Sequence, residues 1–325
     1  MKKADSQIIY QKREFYKPND AGLGFVFACV VPQLFGALIA LVLQIAGVPT
    51  DGLGVALFSC LIGPVCYCLY YILFNKKSNI NWKSAGQINF RLKWWHILLP
   101  VGLGVLCVFG FNNFITLTDK LLEMIGYNAL DSFGIPMDNF GWFVLNVVIL
   151  AVLPAIFEEL IFRGIILNGI KEMGETKAVF FSAFLFALFH GNASQTIYQF
   201  ILGVVLAYVV VLTKNLLSAM VLHFTNNFVV LLINYIQRGT AQEAINFTPT
   251  YIAVSIVVAI VTAGVIALVV WLFKRRKKGE AEIDKTALAQ QKLLERKVSR
   301  DVFLNKFLWI GMLFALTIWI VDFIY

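Results

Sequence analysis

Of the 325 residues, 59% are hydrophobic and only 14% charged, and the apolar residues gather into blocks long enough to cross a bilayer. That composition excludes an ordinary soluble domain and sets the chain among helical membrane proteins with several spans. The formal charge of +8 lies beside the blocks, as in loops held on the inner side of a membrane, and argues against nucleic acid as a partner.

In chain order, residues 1–20 form a basic leader carrying Lys2, Lys3, Lys12, Arg13 and Lys17. Spans are predicted near Ala21–Ala46, Leu53–Phe74, Trp95–Thr118, Phe140–Leu167, Ala178–His190, Thr196–Thr213, Leu216–Tyr235, Tyr251–Phe273 and Phe307–Tyr325. The fold class is therefore all-α: a polytopic transmembrane bundle of about eight core spans plus a C-terminal ninth. The first block follows a long polar leader and exceeds a signal-peptide core, so it reads as a retained span. Cys29, Cys60, Cys66, Cys68 and Cys107 all fall within predicted spans and read as small buried apolar residues rather than a disulfide or zinc framework.

Between the second and third spans, Ser78–Lys93 reads as a basic, partly amphipathic connector, followed by Trp94, Trp95 and His96 at the headgroup interface. Placing this cluster, the leader and Lys274–Lys278 on the inside puts the N-terminus in the cytoplasm, with segments 119–138 and 237–249 outside. Residues 21–273 then make one membrane domain. Residues 274–306 read as a charged cytoplasmic segment with a solvated or membrane-surface helix, and 307–325 as the final transmembrane helix.

The fourth block holds Glu158 and Glu159 side by side, followed by Arg163. Charged groups at the centre of a span cost about 2.5 to 3.5 kcal/mol each on insertion scales, so they face a protein interior or a cavity and mark a functional site. Glu159 and Arg163 are one helical turn apart on one face and can pair. Glu158 points about 100° away and is left as the freer carboxylate. Pro154 cannot donate to the carbonyl of Leu150, so a kinked or splayed turn is expected just before Glu158.

Two further blocks carry polar pairs at the same spacing: Phe186 with His190, and His223 with Asn227. Counted from the cytoplasmic ends of their helices, Glu158, His190, His223 and Asn227 lie at similar depths, roughly 10 to 18 Å into a core of about 30 Å. The fifth block is short. If it ends near His190, Gly191 to Gln195 continues as irregular polar backbone lining a cavity.

Glu-Glu-x-x-x-Arg at Glu158, Glu159 and Arg163, Phe-x-x-x-His at Phe186 and His190, and His-x-x-x-Asn at His223 and Asn227 together resemble the CPBP intramembrane peptidases. That family includes the CAAX prenyl endopeptidases and the Abi proteins linked to bacteriocin processing and immunity. The resemblance covers about residues 140–235 and implies peptide-bond hydrolysis without a covalent intermediate. On chemical grounds Glu158, with His190, would hold and deprotonate the attacking water, and His223 and Asn227 would donate to the oxyanion. Glu159 and Arg163 would set the local electrostatics.

No cofactor is expected. A zinc-dependent version of the same peptidase is the near alternative, because two histidines and a glutamate are a known ligand set, although the helical His-Glu-x-x-His arrangement is absent. Intramembrane Glu, Arg and His also occur in transporters, and a membrane scaffold or regulatory protein is a third class. The expected partners are a membrane-embedded or membrane-associated peptide or protein substrate and the bilayer itself. The Lys-, Asn-, Ile- and Phe-rich composition points to the cell membrane of a bacterium with low GC content.

Overall fold

A computed structural model describes residues 12–49, 52–127, 135–240, 245–277 and 285–324. Lys2, Lys3 and Lys278 of the basic clusters, together with parts of the predicted outer segments, lie outside the described residues. Among those described there are helices but no strand. The helices are α1 (Pro18–Ile45), α2 (Leu53–Lys77), α3 (Trp82–Ala85), α4 (Trp95–Met124), α5 (Phe140–Met173), α6 (Glu175–Phe189) and α7 (Ala193–Thr213). They continue with α8 (Leu216–Gln237), α9 (Pro249–Lys277), α10 (Lys285–Phe303) and α11 (Lys306–Ile324).

Eight of these are long and apolar enough to cross a membrane: α1, α2, α4, α5, α7, α8, α9 and α11. The chain is a multi-pass membrane protein. The C-terminal segment predicted near Phe307–Tyr325 is one of the eight, whereas the fifth predicted span is not. It is α6, whose 15 residues rise only about 22 Å, too little for the hydrocarbon core.

The helices start where local chemistry stops the chain from continuing otherwise. At α1, Pro18 takes the first helical position, where its missing N–H costs nothing, and Asp20 accepts from the backbone N–H of Lys17 at 2.8 Å. The stretch before α1 is anchored rather than loose. Arg13 makes two backbone bonds with Asn79 and Asn81, and the Tyr16 hydroxyl donates to Asn75 at 2.8 Å. His96, expected at the interface, sits at the start of α4. There its Nδ1 accepts the Lys93 N–H at 3.3 Å.

The best-buried part of the molecule is formed by α5 to α8. Ile161, Phe162, Ile165 and Ile166 of α5, Leu185 and Phe186 of α6, Leu202 and Leu206 of α7 and Leu222 of α8 are all fully enclosed. Around them α1 packs on α5 and α11, and α4 packs on α8 and α9. The outward faces of α1, α2 and α9 carry exposed Leu, Ile and Val, as lipid-facing surfaces must.

Helix α5 is not regular. Its α-helical turns are interrupted by π-helical stretches at Val147–Val152 and Leu160–Leu167, on either side of the α-helical turn Leu153–Glu159. The first ends just before Pro154 and is the splaying expected from that proline. π-Turns of this kind recur at functional sites, because the widened ring redirects the following side chains.

Candidate active site

The electrostatic centre lies on α5. Arg163 and Glu159 are completely buried, and Arg163 Nη1 donates to Glu159 Oε1 at 2.7 Å, the pair expected from their spacing. Arg163 has two further supports. Its Nη2 donates to the carbonyl of Gly203 on α7 at 3.2 Å, and its guanidinium lies over the Phe186 ring, 4.2 Å from the centroid. A buried cation is thus held by a carboxylate, a main-chain carbonyl and an aromatic face, which replace part of the water it gave up, while Nε has no hydrogen-bond partner among the described residues.

Gly203 is what allows this approach. A Cβ there would stand 3.0 Å from the Cα of Ala183, so glycine lets α7 lie directly against α6, and a larger residue would push the two backbones apart by a few tenths of an ångström. The sequence reading had no signal for it, since glycines are common throughout membrane helices.

His223 of α8 reaches the same cluster. Its Nδ1 lies 2.9 Å from Glu159 Oε1, and its Nε2 lies 4.0 Å from Glu158 Oε2. Glu159 is engaged by two partners and has no exposure, while the Glu158 side chain retains 16% and, among the described residues, has only this longer contact with His223. Glu158 is the freer acid.

His190 follows the last residue of α6. Its Nδ1 is 2.8 Å from the carbonyl oxygen of Phe186. A carbonyl can only accept, so the neutral ring carries its proton on Nδ1 and keeps a lone pair on Nε2. Both histidine rings meet the edge or face of Phe186, with centroids 4.7 Å (His190) and 6.0 Å (His223) away at near-perpendicular angles. Phe186 therefore forms a common floor for Arg163, His190 and His223. Glu158 and His190 are not hydrogen-bonded to each other.

The expected irregular run from Gly191 to Gln195 needs correction. Only His190, Gly191 and Asn192 separate the helices, because Asn192 caps α7: its side chain accepts from the Gln195 N–H at 3.0 Å, and the helix resumes at Ala193.

Asn227 is placed by a chain of hydrogen bonds that begins outside the motifs. The Tyr198 hydroxyl donates to Asn226 Oδ1, Asn226 Nδ2 donates to Asn227 Oδ1 at 3.1 Å, and Asn227 Nδ2 donates to the carbonyl of Leu150 at 2.9 Å. Leu150 is the residue whose carbonyl Pro154 cannot serve. The asparagine of the third motif thus satisfies the main-chain group that the proline leaves open on α5, and one amide N–H remains for other use.

Residues 140–229 match the family model described as type II CAAX prenyl endopeptidase Rce1-like. The segment that carries the site is similar to that family. The match runs from the start of α5 to the middle of α8 and takes in all three motifs, in agreement with the CPBP resemblance. The likeness is to a membrane protease rather than to a transporter, and it supports reading the chain as an intramembrane endopeptidase. No curated protein and no solved structure matches the chain significantly. The helices outside the matched segment, α1 to α4 and α9 to α11, stand beside the Rce1-like segment without a counterpart in that comparison.

As for metal, among the described residues no three His, Cys, Asp or Glu side chains stand together in a set that could hold an ion. Both Nδ1 atoms are committed, and any ligand set would have to be built from the two Nε2 atoms and Glu158.

Proposed function

We propose that this endopeptidase hydrolyses a peptide bond by direct attack of a water held between Glu158 and His190. The single observation that carries the proposal is the commitment of His190 Nδ1 to the Phe186 carbonyl, which leaves Nε2 able only to accept. Glu158 is likewise an acceptor, free of the arginine that occupies its neighbour. A water that donates one hydrogen to each turns a lone pair outward, toward the carbonyl carbon of a substrate. As the C–O bond forms, Glu158 takes the proton and then passes it to the leaving amine.

His223 and Asn227 are the proposed oxyanion donors. With both ring nitrogens protonated, His223 donates to Glu159 through Nδ1 and presents Nε2–H to the site. Asn227 presents the amide N–H not spent on Leu150. Donors fixed beforehand in a dry site stabilise developing negative charge without reorganising. Glu159 and Arg163 hold His223 and the two helices in place.

The substrate reading follows the family description: a membrane-associated protein or peptide with a prenylated C-terminal CAAX sequence. A leader peptide cut during secretion in a bacterial cell membrane is the second candidate, and the cytoplasmic placement of the N-terminus belongs to the same proposal. Cleavage of a farnesylated CAAX peptide in proteoliposomes, followed for the parent and for Glu158→Gln, is the direct test. Parental turnover by Glu158→Gln would remove the glutamate from the reaction.

The proposed mechanism uses no metal. Dialysis against a strong chelator, with metal analysis of the retained protein, should leave turnover within about twofold. Loss restored by zinc would replace this scheme with the zinc-dependent one, in which the two Nε2 atoms and Glu158 become ligands.

A further inference from the structure

The loop that follows His190 is gripped by a helix far away in the chain. On α11, Asp322 Oδ2 accepts the backbone N–H of Ala193 at 3.2 Å and the Tyr127 hydroxyl at 2.8 Å. One turn earlier, Trp319 Nε1 donates to Thr196 Oγ1 at 2.8 Å, and that hydroxyl donates onward to the Asn192 carbonyl at 2.7 Å. Beside them Ile318 lies against Gly191, where a Cβ would come within 2.7 Å of Ile318 Cγ2, and Gly191 itself has a φ of +58°.

These contacts fall on the short link between α6 and α7. Being the residue before Gly191, His190 has its ring direction set by two things: its bond to Phe186 on one side and the path of this link on the other. The first is local to α6. The second comes from α11, together with Asp119 of α4, which accepts from the Ser194 hydroxyl, and both helices lie outside the segment that matches the family model.

We propose that α11 is a working part of the active site, with Asp322 as the positioning residue that fixes the His190 link through the Ala193 amide. Asp322 touches no reacting group. Its part is to hold the main chain so that His190 Nε2 keeps its aim, and a misplacement of about 1 Å in such a group can cost up to roughly a hundredfold in rate. The carboxylate is suited to this because one oxygen accepts from both donors, and a bond to a charged acceptor is stronger than a neutral one.

The proposal rests on His190 serving in catalysis, so its test has an arm that needs no substrate. In hydrogen exchange of the full chain in detergent, Asp322→Ala should speed exchange of the amides of 191–196 at least about tenfold, in line with the loss of a charge-assisted bond. The rest of α6 and α7 should be unchanged, and Asp322→Asn, which keeps an oxygen acceptor, should restore the protection. With a farnesylated CAAX peptide as probe, Asp322→Ala should lower kcat roughly tenfold and leave KM within about twofold. In a His190→Ala background it should lower the residual rate no further.

Unchanged exchange at 191–196 would overturn the proposal, as would an equal loss of rate in both backgrounds, the mark of a general structural role. Should Asp322→Ala fail to fold, Trp319→Phe, which removes only the donor to Thr196, carries the same comparison. A parent that leaves the probe uncut counts against the substrate reading alone, because the exchange arm still decides the positioning.

Discussion

The two adjacent glutamates differ because of what surrounds them. Glu159 shares one oxygen between Arg163 and His223 and has no exposure, whereas Glu158 keeps an open edge. Glu158→Gln should therefore fold as the parent does and lose turnover by roughly a hundredfold or more. Glu159→Gln leaves Arg163 without its anion, a change that costs about 3 to 5 kcal/mol when a buried pair is broken from one side. It should lower the melting temperature in detergent as well as the rate. A thermal melt and a turnover measurement on both variants separate the cases, and a folded but inactive Glu159→Gln beside an active Glu158→Gln would exchange the two roles. The distinction was legible in the sequence because it depends on spacing within one helix. The second nitrogen of His223, the Gly203 carbonyl and the Phe186 face were not, since each depends on which helix lies across from α5.

Among elements, the interrupted α5 and its neighbours carry the most information. Pro154 announces a disturbed turn, and the π-helical stretch before it is the form that the disturbance takes. Nothing in the sequence says that the freed Leu150 carbonyl is met by Asn227, or that Asn227 is oriented by Asn226 and Tyr198, which are brought in by helix packing. Tyr198→Phe removes the first donor of that chain. It should cost about 1 kcal/mol of orientation and so lower turnover about fivefold with the fold retained. An unchanged rate would mean that Asn227 keeps its place without help. At the α6–α7 crossing, Gly203→Ala inserts a methyl against the Ala183 backbone and moves the carbonyl that supports Arg163. Overpacking of this kind costs about 1 to 3 kcal/mol. Gly102→Ala, in open space on α4, is the matching control, and a detergent melt that treats the two alike would refute the close-approach account.

At the scale of the molecule, block length and hydropathy were enough to read the all-helical, multi-pass architecture, because each span must satisfy its own backbone inside the bilayer. Block counting took α6, whose end leads into His190, as a short span although it is too short to cross, while the predicted C-terminal helix is long enough. Orientation depends on the distribution of Lys and Arg and is open to direct test. Cysteines introduced at Asn246 and Arg275, at opposite ends of α9, should be labelled from opposite sides of the membrane, with Arg275 on the cytoplasmic side. Labelling from one side would remove α9 as a span and with it the assigned topology.

The contact between Ala193 and Asp322 closes a loop of 129 residues. During synthesis the chain emerges at about 5 to 20 residues per second, so roughly 4 to 17 seconds pass between the end of α8 and the appearance of Asp322. On the positioning proposed for Asp322, the site would stay unfinished while the chain's own later helices are still passing through the insertion machinery. Nascent chains stalled before Lys306 should leave a cysteine placed at Ala193 open to a thiol reagent, and released chains should shield it. Equal labelling of both would show that the site is complete before α11 arrives.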